Sequence, residues 1–297
     1  MSISAAQVKE LRERTGAGMM ECKKALVEAD GDVELALENL RKSGAAKAAK
    51  KAGRIAAEGV VSVSAGEGAV AIAEVNSETD FVGKDENFLK FAGAITETVL
   101  AAKPANLEGL AEAPYAGGSA SVEASRLELV QKVGENIAVR RFDCIVPAEG
   151  NALSVYQHGS RIGVVVELAG GDDELGRDVA MHIAAANPSS ISEADLDPAL
   201  VAKEREIQIA QAEGSGKPRE IVEKMVDGRL KKFLAEITLV GQPFVKDPDQ
   251  TVGALLQGKN ACVVRFVRYE VGEGIEKQED NFADEVAAQA AAAKSGN

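Results

Sequence analysis

The chain has 297 residues, 45% of them hydrophobic but only 4% aromatic, two histidines and a formal net charge of −13; at roughly 100–200 residues per domain, this is two or three domains with cores of Ala, Val, Leu and Ile. The acidic balance repels nucleic acid and anionic membranes, the longest apolar runs, such as residues 162–168, are far too short to span a bilayer, and the N-terminus carries no apolar signal core. Cys22, Cys144 and Cys262 lie far apart without CxxC spacing, which argues against a disulfide framework or zinc site and for buried thiols in a reducing cytoplasm.

Residues 1–40 read as three short helices. Ser4 and Gln7 form a capping box ahead of a helix carrying Val8 and Leu11, and Thr15-Gly16 stops it. A second helix covers about residues 20–29 and is broken by Gly31. Asp32 caps a third, with Val33, Ala36, Leu37 and Leu40 on one face. A bundle this small is marginal alone and suits a docking module on a larger body. The run "RKSGAAKAAKKAGR", residues 41–54, has six basic residues and no acidic one. Its readings are, in order, a solvated helical linker, a contact to an acidic partner surface, and a nucleic-acid contact.

From Val60 the period changes to two. "VVSVSA" and "AVAIAEV" flank Gly66-Glu67-Gly68 as a hairpin. "NSETDFVGKDENF", residues 76–88, follows as a polar turn containing Glu78, Asp80, Asp85 and Glu86, with Phe81 and Val82 among them. Phe88, Phe91, Ala92, Ile95 and Val99 then share a helical face. Residues 103–119 read as a loop, 121–133 as a helix and 137–146 as a strand. From the residues alone, Phe81 either folds back beside Phe88 or points away from the core.

"LSVYQ" and "RIGVVVEL" flank His158-Gly159-Ser160 as a second hairpin. A helix over residues 173–186 places Leu175, Val179, His182 and Ala186 on one side, with Pro188 just past its end. The order of elements in the two halves resembles an internal duplication. Asp197-Pro198 opens a helix to about residue 213. "GSGKP" turns the chain, and Pro218 opens another with Val222, Val226, Leu230, Phe233, Leu234 and Ile237 on one face, making an antiparallel pair that projects from the body. Residues 261–271 read as a strand completing the second sheet. The tail carries Phe282, Val286 and Ala290 at helical spacing.

No GxSxG elbow, HExxH or GxGxxG occurs. His182 reads as a core histidine and His158 as an exposed turn residue. "GALLQGKN", residues 253–260, has phosphate-loop spacing, but Asn260 stands where Ser or Thr would hold magnesium, and the segment follows a loop and precedes a strand, the reverse of that motif's setting. Cofactor, metal ligand and catalytic residue are all expected to be absent.

"LRERTGAGMMECKKAL" (11–26), "NSETDFV" (76–82), "YQHGSRIGVVV" (156–166), "AMHIAA" (180–185), "GKPREIVEKMVDGRLKKF" (216–233), "QPFV" (242–245) and "RYEVGEGIEK" (268–277) occur in this order. Together they closely resemble the bacterial elongation factor Ts family, whose members exchange nucleotide on the GTPase elongation factor Tu. The resemblance runs nearly end to end; the loop "APYAGGSASVEAS" and the Ala-rich tail look particular to this chain.

The resemblance implies an α+β architecture: an N-terminal three-helix ubiquitin-associated-like domain with the basic run (1–54), a two-part core with antiparallel sheets (55–147, then 148–190 with 240–275), a protruding antiparallel helical hairpin or coiled coil for dimerisation (191–239), and a C-terminal helical module (276–297). It implies that Thr79, Asp80, Phe81 and Val82 enter the GTPase's nucleotide domain and dislodge magnesium. It implies partner contacts at Arg12, Met19, Met20, the surroundings of His158, and the C-terminal module. Of Met19 and Met20, at least one is expected to be free for docking. The implied partners are elongation factor Tu, GDP-bound or nucleotide-free, and a second copy of the chain in a two-plus-two complex, with no direct nucleic acid and no membrane. The alternative is a nucleic-acid-associated adaptor using residues 41–54.

Overall fold

The computed structural model describes residues 3–117, 119–213 and 219–276. In chain order the elements are α1 (Ala5–Thr15), α2 (Met19–Glu28), α3 (Val33–Lys51), β1 (Glu58–Gly66), β2 (Ala69–Ser77), α4 (Glu86–Ala102), α5 (Leu107–Glu112), α6 (Val122–Val133), β3 (Ile137–Ile145), β4 (Asn151–His158), β5 (Ile162–Ala169), α7 (Asp173–Ala186), α8 (Pro198–Glu213), α9 (Arg219–Ile237), β6 (Pro243–Phe244), β7 (Asp247–Thr251), α10 (Val252–Gly258) and β8 (Cys262–Glu270). The fold class is α+β with antiparallel sheets.

Local signals set the first three helices. Ser4 and Gln7 cap each other, and Gly16 ends α1 in the left-handed region at φ 65°. Asp32 accepts from the Glu34 and Leu35 amides at 2.9 and 3.0 Å. Leu11, Cys22, Leu26, Ala36 and Leu40 fill the space between α1, α2 and α3. The basic run is not a separate linker. Its Ala and Lys residues are strong helix formers, and most of it is the second half of α3, which packs along α6. Ala48 is buried in the main core, and Lys51 donates to the Gly134 carbonyl beyond α6.

Two three-stranded sheets, β1-β2-β3 and β4-β5-β8, pack face to face. Period-two alternation divides their side chains between layers. Ala71, Ala73 and Val75 of β2 face Phe88, Phe91 and Ile95 of α4. Val70 and Ile72 face the other way, toward Val165 and Tyr269 of the second sheet. On β5, Val164, Val166 and Leu168 meet Leu175, Val179 and Ile183 of α7 and Leu256 of α10. Both central strands are buried on two faces, which is why they read as nearly unbroken apolar runs. The sheets approach closely at Gly163, where an added Cβ would lie 2.6 Å from Val61 Cγ1 and 3.2 Å from Ile72 Cδ1. Gly163→Ala is expected to cost about 1–3 kcal/mol of stability by overpacking; a denaturation midpoint equal to wild type would contradict that.

The duplication suggested by element order extends to individual residues. Each middle strand carries an acid at a register irregularity, Glu74 in β2 and Glu167 in β5, and each acid faces an arginine on the last strand of its sheet, Arg141 or Arg265. Both ion pairs are 2.6 Å.

Other expectations change in the structure. Residues 103–119 are not all loop: Asn106 caps the short helix α5 by accepting from the Gly109 amide, and α5 buries Leu110. Ala186 is exposed, because the Asn187 cap turns the chain there. Residues 253–260 follow strand β7 rather than a loop. Residues 253–258 lie in α10 and 259–260 in the turn that ends it, so no loop among them precedes a helix to bind an anion. The turn at 214–218 and the helical spacing of Phe282, Val286 and Ala290 lie outside the described residues.

Candidate protein-docking site

Between β2 and α4 the chain makes a short loop with its own scaffold. Thr79 donates its amide to Glu135 Oε2 at 3.0 Å and its hydroxyl to Glu135 Oε1 at 2.7 Å. Ser77 Oγ donates to the Thr79 carbonyl at 2.9 Å. A single 3-10 turn, Val82–Lys84, follows, and Asp85 caps α4 by accepting from the Asn87 and Phe88 amides at 2.8 and 3.2 Å. Val82 packs on the core beside Phe88, and Gly83 is buried against the backbone of Gly59.

Val82 and Phe88 take the inward places, and Phe81 turns outward. Its ring is 81% exposed, with φ −64° and ψ −49°, so the backbone presents it without strain. Asp80 is exposed and pairs with Lys84 at 2.7 Å across one turn, a hydrogen bond that holds its carboxyl below the usual range. Among the described residues no group of three His, Cys, Asp or Glu side chains could hold a metal ion. The Asp80–Lys84 pair braces the turn.

The other expected contact residues fall on two surfaces. Arg12, Met19 and Met20 line one open groove on α1 and α2, of about 760 Å³, together with Ile3, Val8 and Lys23. Both methionines are exposed, 60% and 75%. Leu11, Ala17 and Cys22 already fill the interior at this end of the bundle, so neither methionine needs to turn inward. His158 is exposed at the end of β4, its ring stacked on Tyr156 at 6.4 Å between centroids. The other histidine, His182, is buried. Its Nδ1 accepts from the Val245 amide and its Nε2 lies 2.9 Å from Gln242 Oε1. Burial lowers its pKa against the opposing Gln242 hydrogen bond, and with both ring nitrogens occupied it is a satisfied core group.

Contacts bring the Phe81 loop and the His158 hairpin to one end of β1. Gly59 backs Gly83, the Val61 amide donates to the Ser160 carbonyl at 2.8 Å, and Arg161 reaches Glu58 at 2.8 Å. The α1–α2 turn reaches the same neighbourhood. Lys132 of α6 lies over Gly16, 3.2 Å from where a Cβ would stand, and its Nζ donates to Asn87 Oδ1 at 2.6 Å. Asn87 Nδ2 donates in turn to Asp85 at 3.0 Å.

A family model described as "Elongation factor TS" matches residues 78–273. The chain belongs to the elongation factor Ts family. It is 62% identical to elongation factor Ts of Thioalkalivibrio sulfidiphilus over 292 residues, covering 98% of this chain and 99% of that one. It is 58% identical to that of Alkalilimnicola ehrlichii over 292 residues, with the same coverage. To that of Methylococcus capsulatus it is 59% identical over 291 residues, 97% of this chain and 99% of the relative. The elongation factor Ts name assigns the chain a role in translation elongation. The family match begins at Glu78, so it takes in the Phe81 loop and His158, whereas Arg12, Met19 and Met20 are covered by the near full-length relatives. No helix among the described residues is long and apolar enough to cross a membrane.

The sequence gives no sign that Glu135 supports this loop. It stands 56 positions from Thr79, and the only local feature is an acid directly after the Gly134 helix stop. The basic run is largely engaged within the chain: Arg41 with Glu128, Lys42 with Glu38, and Arg54 with Glu78.

Proposed function

We propose that this chain is a guanine-nucleotide exchange factor of translation elongation and not an enzyme. It binds GDP-bound elongation factor Tu, presses the Thr79, Asp80, Phe81, Val82 loop toward the partner's magnesium site, dislodges the ion and promotes replacement of GDP by GTP. The observation that carries this reading is the outward Phe81 ring on a loop tied down on both sides. The exposed benzyl group contributes nothing to its own core, and an aromatic ring held out on a fixed loop is suited to filling a partner pocket. Magnesium demands near-ideal octahedral geometry and keeps several waters, so a small shift of the elements orienting those waters weakens the site. The diphosphate then loses its metal and part of its amide cradle.

Arg12, Met19, Met20 and His158 would supply docking area around the loop, Met through its adaptable thioether chain. The net charge of −13 supports the exchange reading over a nucleic-acid adaptor. Dimerisation through the α8–α9 hairpin is supported by Leu200, Ile207, Ile209 and Ile221, which are exposed on it. A sedimentation mass for the complex of one copy of each chain would exclude the two-plus-two assembly. The division at 1–54, 55–147, 148–190 with 240–275, 191–239 and 276–297 is proposed with it, as is a cytoplasmic location.

Linkage supplies the test. If this chain weakens GDP binding, GDP must weaken binding of this chain by the same factor. Calorimetry is expected to show much tighter association with nucleotide-free than with GDP-bound partner, and equal affinities would overturn the proposal.

A further inference from the structure

The loop that presents Phe81 is clasped to one other turn, Gly134-Glu135-Asn136, by bonds running in both directions. Glu135 gives its carboxylate to the amide and hydroxyl of Thr79 at 3.0 and 2.7 Å. The neighbouring Asn136 amide donates to the Glu78 carboxylate at 2.6 Å. The turn is itself fixed. Gly134 stands at φ 81°, where only a residue without Cβ is relaxed, and its carbonyl accepts from Lys51. Asn136 Nδ2 donates to the Arg54 carbonyl at 2.9 Å, and Arg54 reaches Glu78 at 3.4 Å. The end of α3, the α6–β3 turn and the Phe81 loop therefore form one hydrogen-bonded junction.

We infer that Glu135 is a positioning residue for nucleotide exchange: through Thr79 it holds the loop rigid, so that Phe81 is presented already ordered. The inference rests on the wedge reading above. The loop's own apolar anchors are Val82, which is half-buried, and Gly83, which has no side chain. Without the carboxylate, the Thr79 amide and hydroxyl must find water, and the segment before Phe81 is freed to sample other backbone states. Ordering it then falls to the moment of docking, and the backbone freedom lost there is subtracted from the docking free energy. A floppy wedge also yields under load instead of displacing the partner's elements. If the role of Glu135 is to present Phe81, its effect vanishes when the ring is gone.

The test is release of fluorescent GDP from the partner GTPase as a function of the concentration of this chain. Wild type, Glu135→Ala, Glu135→Gln, Phe81→Ala and the Glu135→Ala/Phe81→Ala double variant are compared. Loss of charge-assisted bonds is expected to lower the maximal exchange rate of Glu135→Ala by about tenfold. Glu135→Gln keeps one acceptor oxygen and falls in between. In the Phe81→Ala background, Glu135→Ala is expected to change nothing further, whereas a residue needed only for the fold would lower both backgrounds alike. A slow Phe81→Ala beside a Glu135→Ala of wild-type maximal rate overturns this inference alone. A Phe81→Ala of wild-type rate overturns the wedge reading and this inference with it. If Glu135→Ala does not fold, Glu135→Gln carries the comparison in both backgrounds, and equal loss in each is the overturning result.

Discussion

Phe81→Ala is expected to slow GDP release from the partner GTPase by roughly ten- to a hundredfold at saturating concentration, with little effect on this chain's own stability. The two halves of that statement have separate physical sources. A Phe side chain moved from water into a partner's apolar pocket contributes about 1.5–3 kcal/mol, and each 1.4 kcal/mol is about tenfold in rate. In the free chain the ring already stands in solvent, 81% exposed. Its removal therefore opens no cavity and leaves no polar group unpaired, and surface changes of that kind usually stay within about 0.5 kcal/mol. The magnitude also limits what one ring can do. Shifting a two-state equilibrium by about ten-thousandfold takes about 5.5 kcal/mol, so docking contacts must supply the balance. The groove holding Arg12, Met19 and Met20 and the His158 hairpin are the surfaces available for it, and their substitutions should raise the concentration needed for half-maximal exchange more than they lower its maximum. A Phe81→Ala variant with an unchanged maximal rate would remove the wedge from the mechanism.

Strand and helix positions were legible wherever a segment meets one environment with one period. The faces of α4 and α7, the two hairpins and the caps at Ser4, Asp32 and Gly16 all follow from local patterns a few residues long. Legibility ended where the deciding contact is distant in the chain. Phe88 falls on the core face of α4 by its period, but composition leaves the direction of Phe81 open; its outward turn depends on Gly83 fitting against Gly59, and on Glu135. The helix α5 is six residues long and sits in a stretch rich in Ala, Pro and Gly, a composition that reads as loop. In the basic run the informative residues are Gly44 and Ala48, four apart and buried, because their small size lets α3 lie against α6. For the site, the short motif was legible as a unit through the family resemblance. Its support was not, since an ion or hydrogen-bond partner 56 positions away leaves no periodic trace.

The same limit applies to Glu74, which reads as one polar residue in an apolar strand and is the most heavily bonded carboxylate in the structure's centre. It is fully buried and accepts from the Gly272 amide at 2.8 Å, Asn76 Nδ2 at 3.1 Å, Arg140 Nη1 at 3.0 Å and Arg141 Nε at 2.6 Å. Arg141 continues to Glu273 at 3.2 Å and lies 4.3 Å over the Tyr269 ring, so the group ties the first sheet to the end of β8. Burial pushes the Glu74 carboxyl up, but the Gly272 amide, Asn76 and the two arginines together hold it below the ordinary value. A folded pKa below the unfolded one means that the unfolded chain binds the proton more readily. The stabilisation is then present in full above the ordinary Glu value of about 4.3 and is lost as pH falls through the lower folded value. Glu167 adds to the same acid limb: burial pushes it up, and Asn151, the Ala148 amide and Arg265 bring it lower. Glu74→Ala takes one carboxylate partner from each of two guanidinium groups and leaves the Gly272 amide without its acceptor, and breaking a buried pair on one side costs about 3–5 kcal/mol. Both arginines are partly exposed, with side-chain accessibilities of 29% and 30%, which moves the expectation to the lower end, about 3 kcal/mol at neutral pH. Glu74→Gln keeps the acceptor oxygen and loses the charge, so it should cost less. Denaturant unfolding at pH 7 and again near pH 3 separates charge from packing. The difference between wild type and Glu74→Ala should shrink as the wild-type carboxylate takes up its proton, whereas an equal difference at both pH values would show that shape, and not the ion pairs, makes Glu74 necessary.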